Sequence, residues 1–88
     1  LGVMSREEVA EFCGDEALFA DGLDEAIIGY MQRGATMVAL YDANKCIEVF
    51  ITNDGMSEEE AREHFDFNVL GSWVGDYTPA FAYLQENV

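Results

Sequence analysis

The sequence predicts an α+β domain: a small three-stranded antiparallel sheet with two or three helices, in the order α-β-β-α-α-β. Three observations carry this. Two Ser-x-x-Glu capping boxes, Ser5/Glu8 and Ser57/Glu60, each precede a segment of helical periodicity. Two β-rich runs flank a glycine turn at Arg33-Gly34. A third run, Ala80 to Leu84, follows Pro79, a residue suited to the first position of a strand.

Ser5 caps a first helix on which Val9, Cys13 and Ala17 share one face and Glu7, Glu8 and Glu11 lie opposite. Gly14 interrupts or ends it, and Asp21-Gly22 signals a turn. Ala26 to Met31 and Thr36 to Tyr41 read as the paired strands. Asp42 caps a helix to about Asn53, with Ala43, Cys46, Ile47 and Phe50 as its apolar stripe and Gly55 as its left-handed stop. From Ser57 a further helix runs to Gly71, burying Ala61, Phe65 and Val69 and turning Glu59, Glu63 and Asp66 outward. His64 and Asn68 fall beside Phe65 on its buried side, where Asn68 is placed to tie down the Gly71–Gly75 loop.

Both faces of the paired strands are apolar. Ala26, Ile28 and Tyr30 alternate with Ile27, Gly29 and Met31, and Val38 and Leu40 with Met37, Ala39 and Tyr41. A half-solvated sheet alternates apolar with polar, so a second cover is expected, either the first helix or another copy in a homodimer.

The 88 residues fit one domain, 4–88, with Leu1-Gly2-Val3 read as an expression remnant before Met4. Half the residues are apolar, enough for a core, and no run reaches the ~20 apolar residues of a membrane span. The start is acidic where a signal peptide would be basic, so no signal peptide is read and a cytoplasmic location is expected. Cys13 and Cys46 lie on apolar helix faces and read as buried reduced thiols.

Charge is the strongest functional signal. Residues 1–25 hold eight acids against one Arg, residues 54–66 hold six against one Arg, and the whole chain sums to −14. Ordinary solubility needs a magnitude of only about 2–8. Such a field repels nucleic acid and anionic membrane and steers toward basic partners. Helical neighbours lie ~5–6 Å apart at Cβ, comparable in scale to phosphates that advance ~3.4 Å of axis per nucleotide. The rows Glu8, Glu11, Asp15 and Glu58, Glu59, Glu63, Asp66 are therefore candidate phosphate mimics, with Trp73 and Tyr77 as candidate aromatic anchors and Tyr83 nearby in sequence. Dipole-favoured acids in a solvated first turn are the plainer account of Glu58 and Glu59.

Other chemistries find no support. Asp21, Asp24 and Glu25, or Asp54 and Glu58, do not follow calcium-loop spacing, and Glu60/His64 lacks the second histidine of a zinc motif, so no metal or cofactor is expected. Neither a nucleophile elbow nor a phosphate loop is present, which argues against an enzyme.

The pattern Tyr41-Asp42, Lys45-Cys46-Ile47-Glu48, Asp54-Gly55-Met56, Glu59-Glu60-Ala61, Phe65, Phe67-Asn68-Val69, Gly71, Val74-Gly75 and Thr78-Pro79 resembles a group of short uncharacterised phage proteins. The resemblance covers most of residues 21–81 and implies a phage-encoded protein acting inside a bacterium; it transfers no catalytic residue. The resulting expectation is a non-enzymatic inhibitor or modulator that binds a basic, nucleic-acid-binding surface of a host protein, as DNA-mimic inhibitors such as some anti-CRISPR proteins and uracil-DNA glycosylase inhibitors do. The alternative is a self-associating structural or adaptor protein that packs through an apolar sheet face. A weaker third reading is a small-ligand pocket near His64 and Trp73.

Overall fold

The computed structural model describes residues 3–84. The order α-β-β-α-α-β holds, with α1 at Arg6–Cys13, β1 at Ile27–Arg33, β2 at Thr36–Asp42, α2 at Ala43–Asp54, α3 at Glu58–His64 and β3 at Ala80–Ala82. A short 3-10 turn at Asp24–Ala26 leads into β1, and a π-wound segment at Phe65–Leu70 continues α3.

Local chemistry sets the helix ends as expected. Ser5 Oγ accepts from the Glu8 amide at 3.1 Å while the Ser5 amide donates to Glu8 Oε1 at 2.9 Å. Ser57 and Glu60 repeat this at 3.1 and 2.9 Å. Asp42 caps α2 by accepting from the amides of Asn44 and Lys45. Gly55 closes α2 at φ +70°, a conformation that costs glycine little.

The sheet order is β1-β2-β3, and here the expectation needs correcting: β1 and β2 are antiparallel, but β2 and β3 are parallel, so the sheet is mixed. The cause is the connection. Parallel neighbours need a long crossover, and α2, α3 and the π segment supply it. The hairpin turn falls one residue later than expected, because β1 extends to Arg33. The last strand is shorter than expected, ending at Ala82.

A bulge in β1 settles which side chains share a face. Ile27 pairs with Tyr41 and Gly29 with Leu40, so Ile28 is the extra residue. Simple alternation places Ile27 opposite Tyr30; the bulge brings it onto the same face, with Ala39, Tyr41 and Phe81. That face is the core. Val9 and Cys13 of α1, Cys46 and Phe50 of α2, Ala61 of α3 and Phe65 join Ile27, Ala39 and Tyr41 in one apolar cluster. Phe12 stacks on Tyr30 at 4.4 Å, and Phe81 lies 5.3 Å from both Tyr41 and Phe65. The Tyr41 hydroxyl accepts from the Ala20 amide at 2.8 Å, which satisfies the polar tip of a buried ring.

The first helix thus packs on the same face as α2, not on the second face as one expectation had it. Met31, Val38, Leu40, Ala80 and Ala82 share the other face by register and lie outside the core cluster. Arg33, two residues beyond Met31 on that side, reaches across β2 and donates to the carbonyls of Asp76 and Thr78, both at 2.9 Å.

Candidate interaction surface

The accessible surface is 5603 Å², and the expected acidic residues lie on it. Glu8, Glu11, Asp15, Glu58, Glu59, Glu63 and Asp66 are all exposed. The structure does not keep them as two uniform helical rows. α1 ends at Cys13, and Gly14 at φ +88° redirects the chain, so Asp15 stands off the helix that carries Glu8 and Glu11. Asp66 sits in the π segment, where wider winding changes its angle relative to Glu59 and Glu63.

The carboxylates also differ in what they do. Glu8 and Glu60 close the two capping boxes, and the Ser57 amide and hydroxyl hold the Glu60 carboxyl below its ordinary pKa. Glu58 accepts from Arg62 at 3.2 Å. Glu11, Asp15, Glu59, Glu63 and Asp66 have no ion pair among the described residues.

The chain's four cations are all engaged within the molecule. Arg6 meets Asp24 at 2.7 Å and Asp21 at 3.9 Å, Lys45 meets Glu48 at 3.1 Å, and Arg62 meets Glu58. Arg33 is spent on backbone carbonyls and on the Trp73 ring, 4.8 Å from its centre. Exposed pairs of this kind contribute little stability, ~0–1 kcal/mol each. Their consequence here is electrostatic: no free cation among the described residues interrupts the negative field.

The stretch that follows the α3 acids carries four exposed large apolar side chains. Phe67 is 78 % exposed, Trp73 63 %, Val74 61 % and Leu70 46 %. Exposed apolar side chains grouped in one segment mark contact sites more often than scattered ones do. Trp73 is therefore accessible as expected, whereas Tyr77 is half-buried and its hydroxyl donates weakly to Glu16 at 3.4 Å. The Glu16 charge pushes the Tyr77 phenol up. Tyr83 is also exposed, and its ring stands edge-on to Phe65.

A groove of about 630 Å³ opens next to this patch, between residues 18–23, the π segment and the loop before β3. His64 and Asn68 meet on its rim, Nδ1 to Nδ2, at 3.1 Å, and His64 stands edge-on to Phe50 at 4.7 Å. The buried position expected for Asn68 is not found: it is exposed, and the pair leaves the loop to others. Thr78 holds the loop instead, accepting from the Val74 amide at 2.9 Å and donating to the Gly75 carbonyl at 2.6 Å.

Cys13 and Cys46 are buried and free, as expected, and burial pushes the Cys46 thiol up to about 12. Among the described residues no group of three or more His, Cys, Asp or Glu is placed to hold a metal, and no helix is long and apolar enough to cross a membrane.

Sequence reasoning missed Phe67 and Leu70, and Val74, which the sequence suggests for the core, is 61 % exposed instead, in the loop before β3. One signal was available for Phe67. It stands four residues after Glu63, an aromatic on the helix face otherwise given to acids.

No family model matches the chain, and no curated protein or solved structure matches it.

Proposed function

We propose that this protein is a phage-encoded, non-enzymatic inhibitor or modulator that docks on a basic, nucleic-acid-binding surface of a bacterial host protein. Its carboxylates occupy positions that phosphates otherwise hold. The observation that supports this reading is the imbalance of eighteen acids to four cations, with each cation already engaged inside the molecule. Glu59, Glu63 and Asp66 provide the charge, and the adjoining Phe67, Leu70 and Trp73 provide apolar contact area. The partnership of acid and aromatic suits an interface whose rate is set by charge and whose lifetime is set by buried apolar surface. The likeness to anti-CRISPR proteins and other DNA mimics is one of charge and size.

The test is capture of bacterial lysate proteins on the immobilised chain at low and high salt, followed by competition with duplex DNA. The reading expects capture that fails at high salt and partners that DNA displaces. Partners that resist both would refute it.

A second reading is a self-associating adaptor. The sheet face of Met31, Leu40, Ala80 and Ala82, half-buried within one copy around an already buried Val38, is the surface it would use. Sedimentation at micromolar concentration separates the two, since a salt-insensitive dimer without DNA-displaceable partners belongs to the adaptor alone.

A further inference from the structure

Residues 72–78 run from the end of the π segment toward β3 as a strap built on its own bonds. The Val74 amide donates to Thr78 Oγ1 at 2.9 Å, and the Thr78 hydroxyl and amide both donate to the Gly75 carbonyl, at 2.6 and 3.0 Å. Gly75, at φ +113°, permits this tight path. On its inner side Thr78 is buried and, with Ser72 and Val74, walls part of the groove. On its outer side Trp73 is exposed.

Few ties join the strap to the rest of the molecule. Among the described residues, its hydrogen bonds to elements distant in sequence are two from Arg33, to the Asp76 and Thr78 carbonyls at 2.9 Å each, and a weak one from Tyr77 to Glu16 at 3.4 Å. Arg33 also faces the Trp73 ring at 4.8 Å. Of the four cations, Arg33 is the one with no carboxylate partner among the described residues. Neutral carbonyls and a ring face hold a guanidinium less firmly than a bidentate carboxylate does. A segment with internal bonds and few outside ties is the kind of unit that opens below the free energy of global unfolding.

We propose that residues 72–78 form a lid that moves as one body, with Arg33 as its latch. Closed, the lid holds Trp73 against the guanidinium and completes the groove wall. Open, it frees Trp73 and widens the groove on the side of Ser72, Val74 and Thr78. Arg33 stands at the tip of the β1–β2 hairpin, so whatever displaces its side chain there is felt in the groove. The lid is independent of the partner's charge, and its test needs no partner.

The experiment is NMR relaxation dispersion on the labelled full chain, comparing the parent with Arg33→Met. The amides of residues 72–78 and the Val74 methyls should share one exchange rate, which the core amides of Ala39 and Cys46 do not show. The open state, minor in the parent, should be at least about tenfold more populated in Arg33→Met, because hydrogen bonds from a charged donor are lost. Trp73→Leu keeps both hydrogen bonds and every charge. It should raise the open population by a smaller factor, and it carries the test if Arg33→Met does not fold. Strap residues that show no exchange in a folded variant, that exchange at unrelated rates, or that exchange only together with Ala39 and Cys46 would overturn the lid. So would an open population that neither variant changes.

Discussion

The guanidinium of Arg33 lies 4.8 Å from the centre of the Trp73 ring while donating to the carbonyls of Asp76 and Thr78. One side chain thus crosses the middle strand and fixes the loop that presents the exposed tryptophan. The tip of the β1–β2 hairpin and the entry to β3 are joined by this contact, although β1 and β3 are not neighbours in the sheet.

Arg33→Met removes two charge-assisted hydrogen bonds and the ring contact but keeps an apolar stem. It should lower unfolding free energy by about 1–3 kcal/mol. The fluorescence of Trp73, the chain's single tryptophan, should change in the folded state. Chemical denaturation followed by far-ultraviolet circular dichroism gives the first quantity, and an emission spectrum the second. An unchanged spectrum would show that the ring is not held by Arg33.

Ser57 begins the acidic helix by capping it. Ser57→Ala should cost about 1 kcal/mol. The Glu60 carboxyl, which accepts from the Ser57 amide, has a lowered pKa in the folded protein. Its contribution is therefore present above the ordinary glutamate pKa and is lost as pH falls through the lowered folded value. Denaturation of the parent and Glu60→Gln across the acidic range checks this. The difference between them should shrink toward low pH.

Cys46 sets the alkaline limit. Its thiol ionises near 9 when unfolded, but burial holds it protonated to about 12 in the folded state. Above pH 9 the unfolded chain therefore binds fewer protons than the folded one, and stability falls as pH rises, by about 4 kcal/mol in all over that window. The Tyr41 phenol, raised chiefly by burial from its ordinary 10, adds its own slope only beyond that value. Cys46→Ala should reduce the slope between 9 and 10, leaving the part contributed by Cys13, whose thiol burial also raises, while lowering stability uniformly for the lost packing. Denaturation midpoints at closely spaced alkaline pH values measure the slope.

Phe67 tests whether the apolar patch is structural. It is 78 % exposed and projects from the π segment, so Phe67→Ser should move stability by no more than ~0.5 kcal/mol. Phe65→Ala, two residues away and fully buried between Phe81 and Tyr83, should cost ~3–5 kcal/mol. A large loss in Phe67→Ser would show that the patch belongs to the fold and not to a contact surface.

What was legible in the sequence was whatever short-range chemistry decides. Ser5, Asp42 and Ser57 mark helix starts through a side-chain oxygen that reaches an amide two or three residues on, and Gly55 marks a stop through its left-handed backbone. Strand direction is not of that kind. Ala80–Ala82 reads the same whichever way it runs beside β2, and only the path of the crossover makes it parallel. The bulge at Ile28 carried no glycine or proline signal at the extra residue, so the face assignment of Ile27 was beyond alternation rules. The acids of the candidate surface were legible because exposed charge is a property of composition. The groove was legible only in part, as a pocket beside His64, because its walls come from residues 18–23 and the loop before β3, which are distant in sequence.

The central claim is that unpaired carboxylates on α3 and its π extension select the partner. The most direct measurement is the affinity of a DNA-displaceable captured partner for the parent and for Glu59→Lys/Glu63→Lys/Asp66→Lys, each across a salt series. The account predicts steep weakening with salt for the parent and loss of binding in the triple variant. Equal affinity and equal salt dependence in the two proteins would contradict it.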